Sequence, residues 1–260
     1  MPTPDHVDPL TALVRPVSPH LQACELTHLP RVPIDADLAG RQHSAYVQAL
    51  AAHGANVVAV SALPDHPDGV FVEDTAVVLP EVALITRPGA ASRRAETASV
   101  ADLLAGGRAL RQVPAPACLE GGDVLRIGRV LYVGLSARTN PSGVEALRDA
   151  IAPFGYEVRA LPVRGCLHLK TAATFIPPDI VLLNPQWVDA AAFTDCERIE
   201  VDPVESFAGN TLTLGGTTLV SAAFPRTRDR LQALGVVTHA VDISELEKAE
   251  AGLTCMSIVF

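Results

Sequence analysis

Four times along this chain two short runs rich in valine, leucine, isoleucine and threonine meet across a turn of two or three residues. No other feature of the sequence limits the fold as much. The pairs are 75–79 with 82–86, 124–127 with 130–134, 172–176 with 180–184, and 211–214 with 217–222. Their turns are Pro80-Glu81, Gly128-Arg129, Pro177-Pro178-Asp179 and Gly215-Gly216. Apolar, β-branched runs joined by such turns are hairpin signals. Their return every 40 to 50 residues or so suggests a structural repeat.

Helical signals separate the hairpins. Residues 37–53 end before Gly54, 140–154 end before Gly155, and 226–234 end before Gly235. In the second, Asn140 suits a cap and Pro141 suits the first helical position, where no amide hydrogen is needed. The two end runs, 12–17 and 254–260, are predicted to pair as a fifth unit and close a ring. Residues far apart in sequence would then meet in one pocket at the ring's centre. The expectation is one α/β domain spanning 1–260, a closed five-bladed propeller with no linker dividing it.

Of the 260 residues, 48% are hydrophobic and 19% charged, ample for a core. A net charge of −9, with no cluster of lysine and arginine, argues against a nucleic-acid partner. No run approaches the roughly 18 to 20 apolar residues of a membrane helix. The opening MPTPDHVDPLTALV lacks the basic-then-apolar pattern of a secretory signal, which points to the cytoplasm. Cys24, Cys118, Cys166, Cys196 and Cys255 are odd in number and lack CxxC spacing, so neither a disulfide framework nor a zinc site follows and free thiols are expected.

Chemistry concentrates in four islands: Phe71-Val72-Glu73-Asp74, Leu119-Glu120-Gly121-Gly122-Asp123, His168-Leu169-Lys170-Thr171 and Leu253-Thr254-Cys255. A cysteine nucleophile needs a proton carrier and a carboxylate to orient it. Cys255, His168 and Glu120 supply these residue types. Cysteine is also among the most buried residues, so Cys255 alone would be ambiguous. Glu73 and Asp74 suit a guanidinium, with Phe71 as a stacking face. Adjacent strand residues point to opposite faces, so both acids reach one pocket only if the segment is irregular. Arg87 and Arg138 each follow a hairpin's second strand, and together suit a substrate carboxylate.

FVEDTAVV, ALITRPGAASRR, LEGGDVL, YVGLSARTN, GCLHLK and SELEKAEAGLTCMS, in this order, resemble the dimethylarginine dimethylaminohydrolases. The resemblance implies the pentein fold of five ββαβ-like repeats and a small-molecule guanidine substrate. It implies Cys255 as nucleophile, His168 as general acid and base, and Glu120 as its partner. Asp74 and Glu73 would bind the guanidinium with Phe71 packed on it. Asp68 and the carbonyls of Leu26 and Ala249 would take the α-amino group, and Arg87 and Arg138 the carboxylate. The implied reaction converts Nω-methylated arginines to citrulline through a covalent thiouronium, and the resemblance implies no metal or organic cofactor. Arginine deiminases share much of this logic but carry an acid two residues after the histidine, where this chain has Lys170. A deiminase is therefore the competing enzyme, and a non-catalytic binding protein of the same fold the alternative of another class. Pro67-Asp68-Gly69 and residues 24–35 are loops placed to close over a pocket.

Overall fold

The computed structural model describes residues 10–260; the first nine residues of the opening segment read for targeting lie outside these. In chain order the elements are β1 (Thr11–Val14), α1 (Ala36–Ala52) and β2 (Asn56–Ala59), then β3 (Ala76–Val78), β4 (Val82–Ile85), α2 (Thr97–Leu104) and β5 (Ala109–Gln112). Next come β6 (Val124–Ile127), β7 (Val130–Leu135), α3 (Pro141–Ile151) and β8 (Glu157–Pro162), followed by α4 (Leu169–Ala172), β9 (Ala173–Ile176), β10 (Ile180–Leu183) and β11 (Glu197–Glu200). The chain ends with β12 (Leu212–Leu214), β13 (Thr217–Ser221), α5 (Pro225–Ala233), β14 (Thr238–Val241), α6 (Ser244–Glu247) and β15 (Ile258–Val259).

The strands form five three-stranded sheets of one design. A central strand pairs antiparallel with its hairpin partner and parallel with an outer strand reached by a crossover: β4 with β3 and β5, β7 with β6 and β8, β10 with β9 and β11, β13 with β12 and β14. The remaining sheet is completed from the far end of the chain, where β15 pairs with β1 in the register Ala12↔Val259 and Leu13↔Ile258. The expected pairing of the two ends is present. In the β9–β11 repeat the crossover holds only a one-turn helix at Ala190–Ala192.

Local chemistry explains the helix boundaries. Asp35 accepts a hydrogen bond from the Leu38 amide at the start of α1, and Asn140 accepts from the Gly143 amide ahead of α3. Such caps satisfy amides that have no partner within the helix. Gly155 takes up a left-handed conformation at φ 71°, which stops the helix after Phe154.

Five apolar clusters each join two sheets. Leu13 and Ile258 pack with Ala83 and Ile85, and Val82 and Leu84 pack with Leu131 and Val133. Tyr132 packs with Val181 and Leu183, Ile180 and Leu182 with Val220, and Val14 with Leu214 and Leu219. Burying each such aliphatic side chain contributes roughly 1.5–3 kcal/mol, so every sheet is held on both flanks. The hairpin strands β3, β6, β9, β12 and β15 all line one cavity of about 420 Å³. Among the described residues no helix is long and apolar enough to cross a membrane.

Candidate active site

The candidate residues lie at the entrances to these lining strands. Val72–Thr75 is a tight helical turn before β3, Gly121–Asp123 another before β6, α4 opens β9, and Thr254–Met256 turns into β15. Because 72–75 is a turn and not strand, Glu73 and Asp74 are both buried, which meets the irregularity that the sequence required.

His168 is the hub. Its Nε2 lies 2.6 Å from Glu120 Oε2 and 3.8 Å from Asp74 Oδ1, and all three side chains are buried. Burial would lower the imidazole pKa, but Asp74, Asp123 and Glu120 outweigh it and raise it to about 9. For Asp74 burial alone would push the carboxyl up; His168 and Arg93 prevail and hold it down at about 2. Glu120 is oriented by the Gly89 amide, which donates to its Oε1 at 2.9 Å.

The paired glycines follow from close packing. A Cβ on Gly122 would lie 2.7 Å from His168 Nδ1, and one on Gly121 would lie 2.0 Å from the Glu73 carbonyl. Asp123, fully buried, accepts from the Leu169 amide at 2.9 Å and so fixes the turn that follows His168.

Cys255 is partly buried, and the Gly252 amide donates to its Sγ at 3.3 Å. Desolvation, then Glu73 and Asp74, push the thiol up to about 12. No hydrogen bond joins Cys255 to His168 among the described residues. Glu73 is tied to Lys170 Nζ at 2.6 Å and accepts from Thr254 Oγ1 at 2.8 Å, next to the cysteine. Phe71 belongs to the cluster against which Cys255 packs.

Asp68 is buried and accepts from the Glu25 amide through both oxygens, at 3.2 and 3.1 Å. Burial raises its carboxyl to about 6 despite Arg93 and that amide. The Gly69 carbonyl accepts from fully buried Arg15 at 2.8 Å, which ties the 67–69 turn to the core. Among the described residues the carbonyls of Leu26 and Ala249 accept no hydrogen bond.

Arg138 is buried, 3.7 Å from Glu120, and donates to Thr27 Oγ1. Arg87 lies beside Glu120 through the backbone bridge between Arg87 and Leu119, and its guanidinium donates to the Ala117 carbonyl and Cys118 Sγ. Arg93, which the sequence reading missed, also stands in the site, bonded to Asp74 at 2.6 Å, to Glu96, and to the Phe71 carbonyl at 2.9 Å. The arginine pair in ALITRPGAASRR carried the signal, and burial distinguishes Arg93 from half-buried Arg94.

Asn210 was also missed. It precedes β12 as the other islands precede their strands, and it donates to the Lys170 carbonyl and Thr254 Oγ1 while accepting from the Thr254 amide. It thus ties the His168 turn to the Cys255 turn. Asp74, Glu120 and His168 offer three ligand atoms within 4.8 Å of one another, the one such set among the described residues. Arg93 and the His168–Glu120 hydrogen bond already engage them.

Similar proteins place this arrangement. Residues 32–258 match the family described as eukaryotic N,N dimethylarginine dimethylhydrolase. The N(G),N(G)-dimethylarginine dimethylaminohydrolase of Streptomyces coelicolor is 45% identical over 248 residues, 95% of each chain. The structure of the Pseudomonas aeruginosa enzyme, a cysteine-to-serine mutant complexed with citrulline, superimposes with a TM-score of 0.92 at 30% identity, over 96% of this chain and 98% of that one. The N-terminal domain of a cyanobacterial arginine dihydrolase shares the fold, with a TM-score of 0.83 at 19% identity over 96% and 97% of the two chains. Fold and pocket together define an α/β pentein-fold hydrolase of the cysteine-nucleophile class. Within that class, the chain belongs to the dimethylarginine dimethylaminohydrolase family.

Proposed function

We propose that Cys255, His168 and Glu120 form the catalytic set with which this chain hydrolyses Nω-methylated arginines to citrulline, releasing dimethylamine or methylamine. The observation that carries the assignment is the convergence of four strand-entry turns, which gathers a thiol, a raised imidazole and two acids in one buried place. The five sheets then form a closed ring in a single catalytic domain, a reading supported by the five two-sheet clusters and the shared cavity.

With the thiol near 12 and the imidazole near 9, the resting pair at neutral pH is a thiol and an imidazolium. Activation falls to the substrate. A guanidinium bound against Asp74 brings positive charge beside Sγ, favours the thiolate, and the thiol proton leaves to solvent. The thiolate attacks the guanidinium carbon, forming a C–S bond and a tetrahedral adduct. His168 gives its proton to the alkylated nitrogen, the C–N bond breaks, and the amine departs from a thiouronium. The now neutral imidazole takes a proton from water as it attacks the same carbon. Cleavage of the C–S bond, with the hydroxyl proton lost to solvent, yields citrulline and the thiolate.

Asp68 and the free carbonyls of Leu26 and Ala249 hold the α-ammonium, and Arg87 and Arg138 hold the carboxylate. Arg93 counters the charge of Asp74. Lys170 favours the methylated substrate over arginine. Its ammonium, 2.6 Å from Glu73, sets a cation where a second acid would be needed to grip two unsubstituted nitrogens. Citrulline release from Nω,Nω-dimethylarginine, Nω-monomethylarginine and arginine, measured separately, tests the reading. Turnover of the methylated substrates that disappears in Cys255→Ser is expected; turnover of arginine alone would make the chain a deiminase.

A further inference from the structure

Residues 25–29 form a strap whose amides point at two buried carboxylates. At one end the Glu25 amide donates to Asp68. At the other, the amides of Thr27, His28 and Leu29 all donate to one oxygen of Glu250, at 3.0, 2.5 and 2.5 Å. Three successive amides converging in this way make a concave anion site, and charge-assisted hydrogen bonds of this type are stronger than neutral ones. Glu250 is 6% exposed, and its second oxygen is buried with no hydrogen-bond partner. It joins no salt bridge among the described residues. Its backbone stands at φ 60°, the one left-handed non-glycine among the described residues. Such a conformation costs on the order of 1 kcal/mol or more and persists only where the surroundings impose it.

We infer that Glu250 is the positioning residue of the α-amino site, orienting both backbone carbonyls that receive the substrate's ammonium. The inference rests on the proposed assignment of the Leu26 and Ala249 carbonyls to that group. Two covalent facts connect them to Glu250. The Leu26 carbonyl shares a peptide unit with the Thr27 amide, and in a trans unit the two point in opposite directions. By holding Thr27 N–H, the Glu250 carboxylate turns the Leu26 carbonyl away from itself. The Ala249 carbonyl shares a peptide unit with the Glu250 amide, which donates to the Glu247 carbonyl at 3.0 Å. One residue thus sets one carbonyl through its side chain and the other through its main chain, across more than 220 residues of sequence. The strap becomes a fixed wall of the pocket, and the enzyme reads the free amino end of the amino acid.

The test compares Glu250→Ala and Glu250→Gln on two substrates, Nω,Nω-dimethylarginine and its analogue lacking the α-amino group. Loss of hydrogen bonds from a charged group, at roughly 1.5–3 kcal/mol, corresponds to a fall of about 10- to 100-fold in kcat/KM. For Glu250→Ala that fall is expected with dimethylarginine, carried mainly by KM, while the analogue changes less than about threefold. Glu250→Gln, whose amide oxygen still accepts from the strap, recovers part of the loss and serves if the alanine variant does not fold. An equal fall on both substrates in either variant would overturn the inference and leave Glu250 a purely structural clamp. Failure of the unsubstituted protein to release citrulline from dimethylarginine would instead remove the functional reading beneath it.

Discussion

Replacing Glu120 by glutamine removes one charge 2.6 Å from the His168 imidazole while preserving side-chain size. A hydrogen bond to a charged group contributes roughly 1.5–3 kcal/mol and a neutral one roughly 0.5–1.5, so the imidazolium loses about 1–2 kcal/mol of support. At about 1.4 kcal/mol per pH unit, the His168 pKa moves down by roughly one unit. It falls no further, because Asp74 and Asp123 still favour the charged ring. His168 works as an acid in its protonated form. The alkaline limb of kcat/KM, which reports the free enzyme, should therefore move from near 9 to about 8. The assay is citrulline release from dimethylarginine across pH. A second readout is thermal stability. Because the folded value of about 9 lies above the ordinary 6.5, this group's stabilisation is complete below 6.5 and is lost as pH rises through 9. In Glu120→Gln the loss still begins near 6.5 but is smaller and ends earlier. An alkaline limb that stays in place while the rate drops uniformly would refute the electrostatic account and leave Glu120 with orientation alone.

Substitutions at three further positions, Lys170, Gly121 and Gly40, extend the test. Lys170→Met removes the cation beside Glu73, and Lys170 is one of the groups that lowers the Cys255 thiol. The thiol should then titrate higher, followed by the pH dependence of its alkylation, and kcat/KM should fall about tenfold with recovery in Lys170→Arg. An unmoved alkylation profile would detach Lys170 from the thiol. Gly121→Ala forces a Cβ to 2.0 Å from the Glu73 carbonyl, and should cost roughly 2–3 kcal/mol in denaturant unfolding together with activity. Gly40→Ala, within α1 with nothing inside 4 Å, should instead stabilise by about 0.5–1 kcal/mol. Similar effects at the two sites would show that backbone entropy, and not close approach, explains Gly121.

The hairpins were legible because their central strands are buried on both faces, as in Val82–Ile85 and Ile180–Leu183, and carry continuous apolar runs between turn residues. The outer strands escaped notice for the converse reason. Ala109–Gln112 is exposed at every position and Glu197–Glu200 nearly so, leaving no pattern to read. The short α2 was missed, since eight residues hold little periodicity.

The chain's sequence by itself determined the repeat, the pairing of its ends, the identity of the reactive groups and their family, because turn chemistry, apolar runs and motif order are local properties. Tertiary structure alone decided which of several like residues belongs to the site. It buried Arg93 rather than its neighbour Arg94 against Asp74, brought Asn210 between two turns, and aimed Glu250 at a strap more than 220 residues away. Only tertiary structure could raise His168 and Cys255 in opposition to ordinary values, since those shifts come from burial and from charges contributed by other repeats. The physical reason is range. Propensity acts over a few residues, whereas desolvation and Coulomb interaction depend on which distant segments the folded chain brings together.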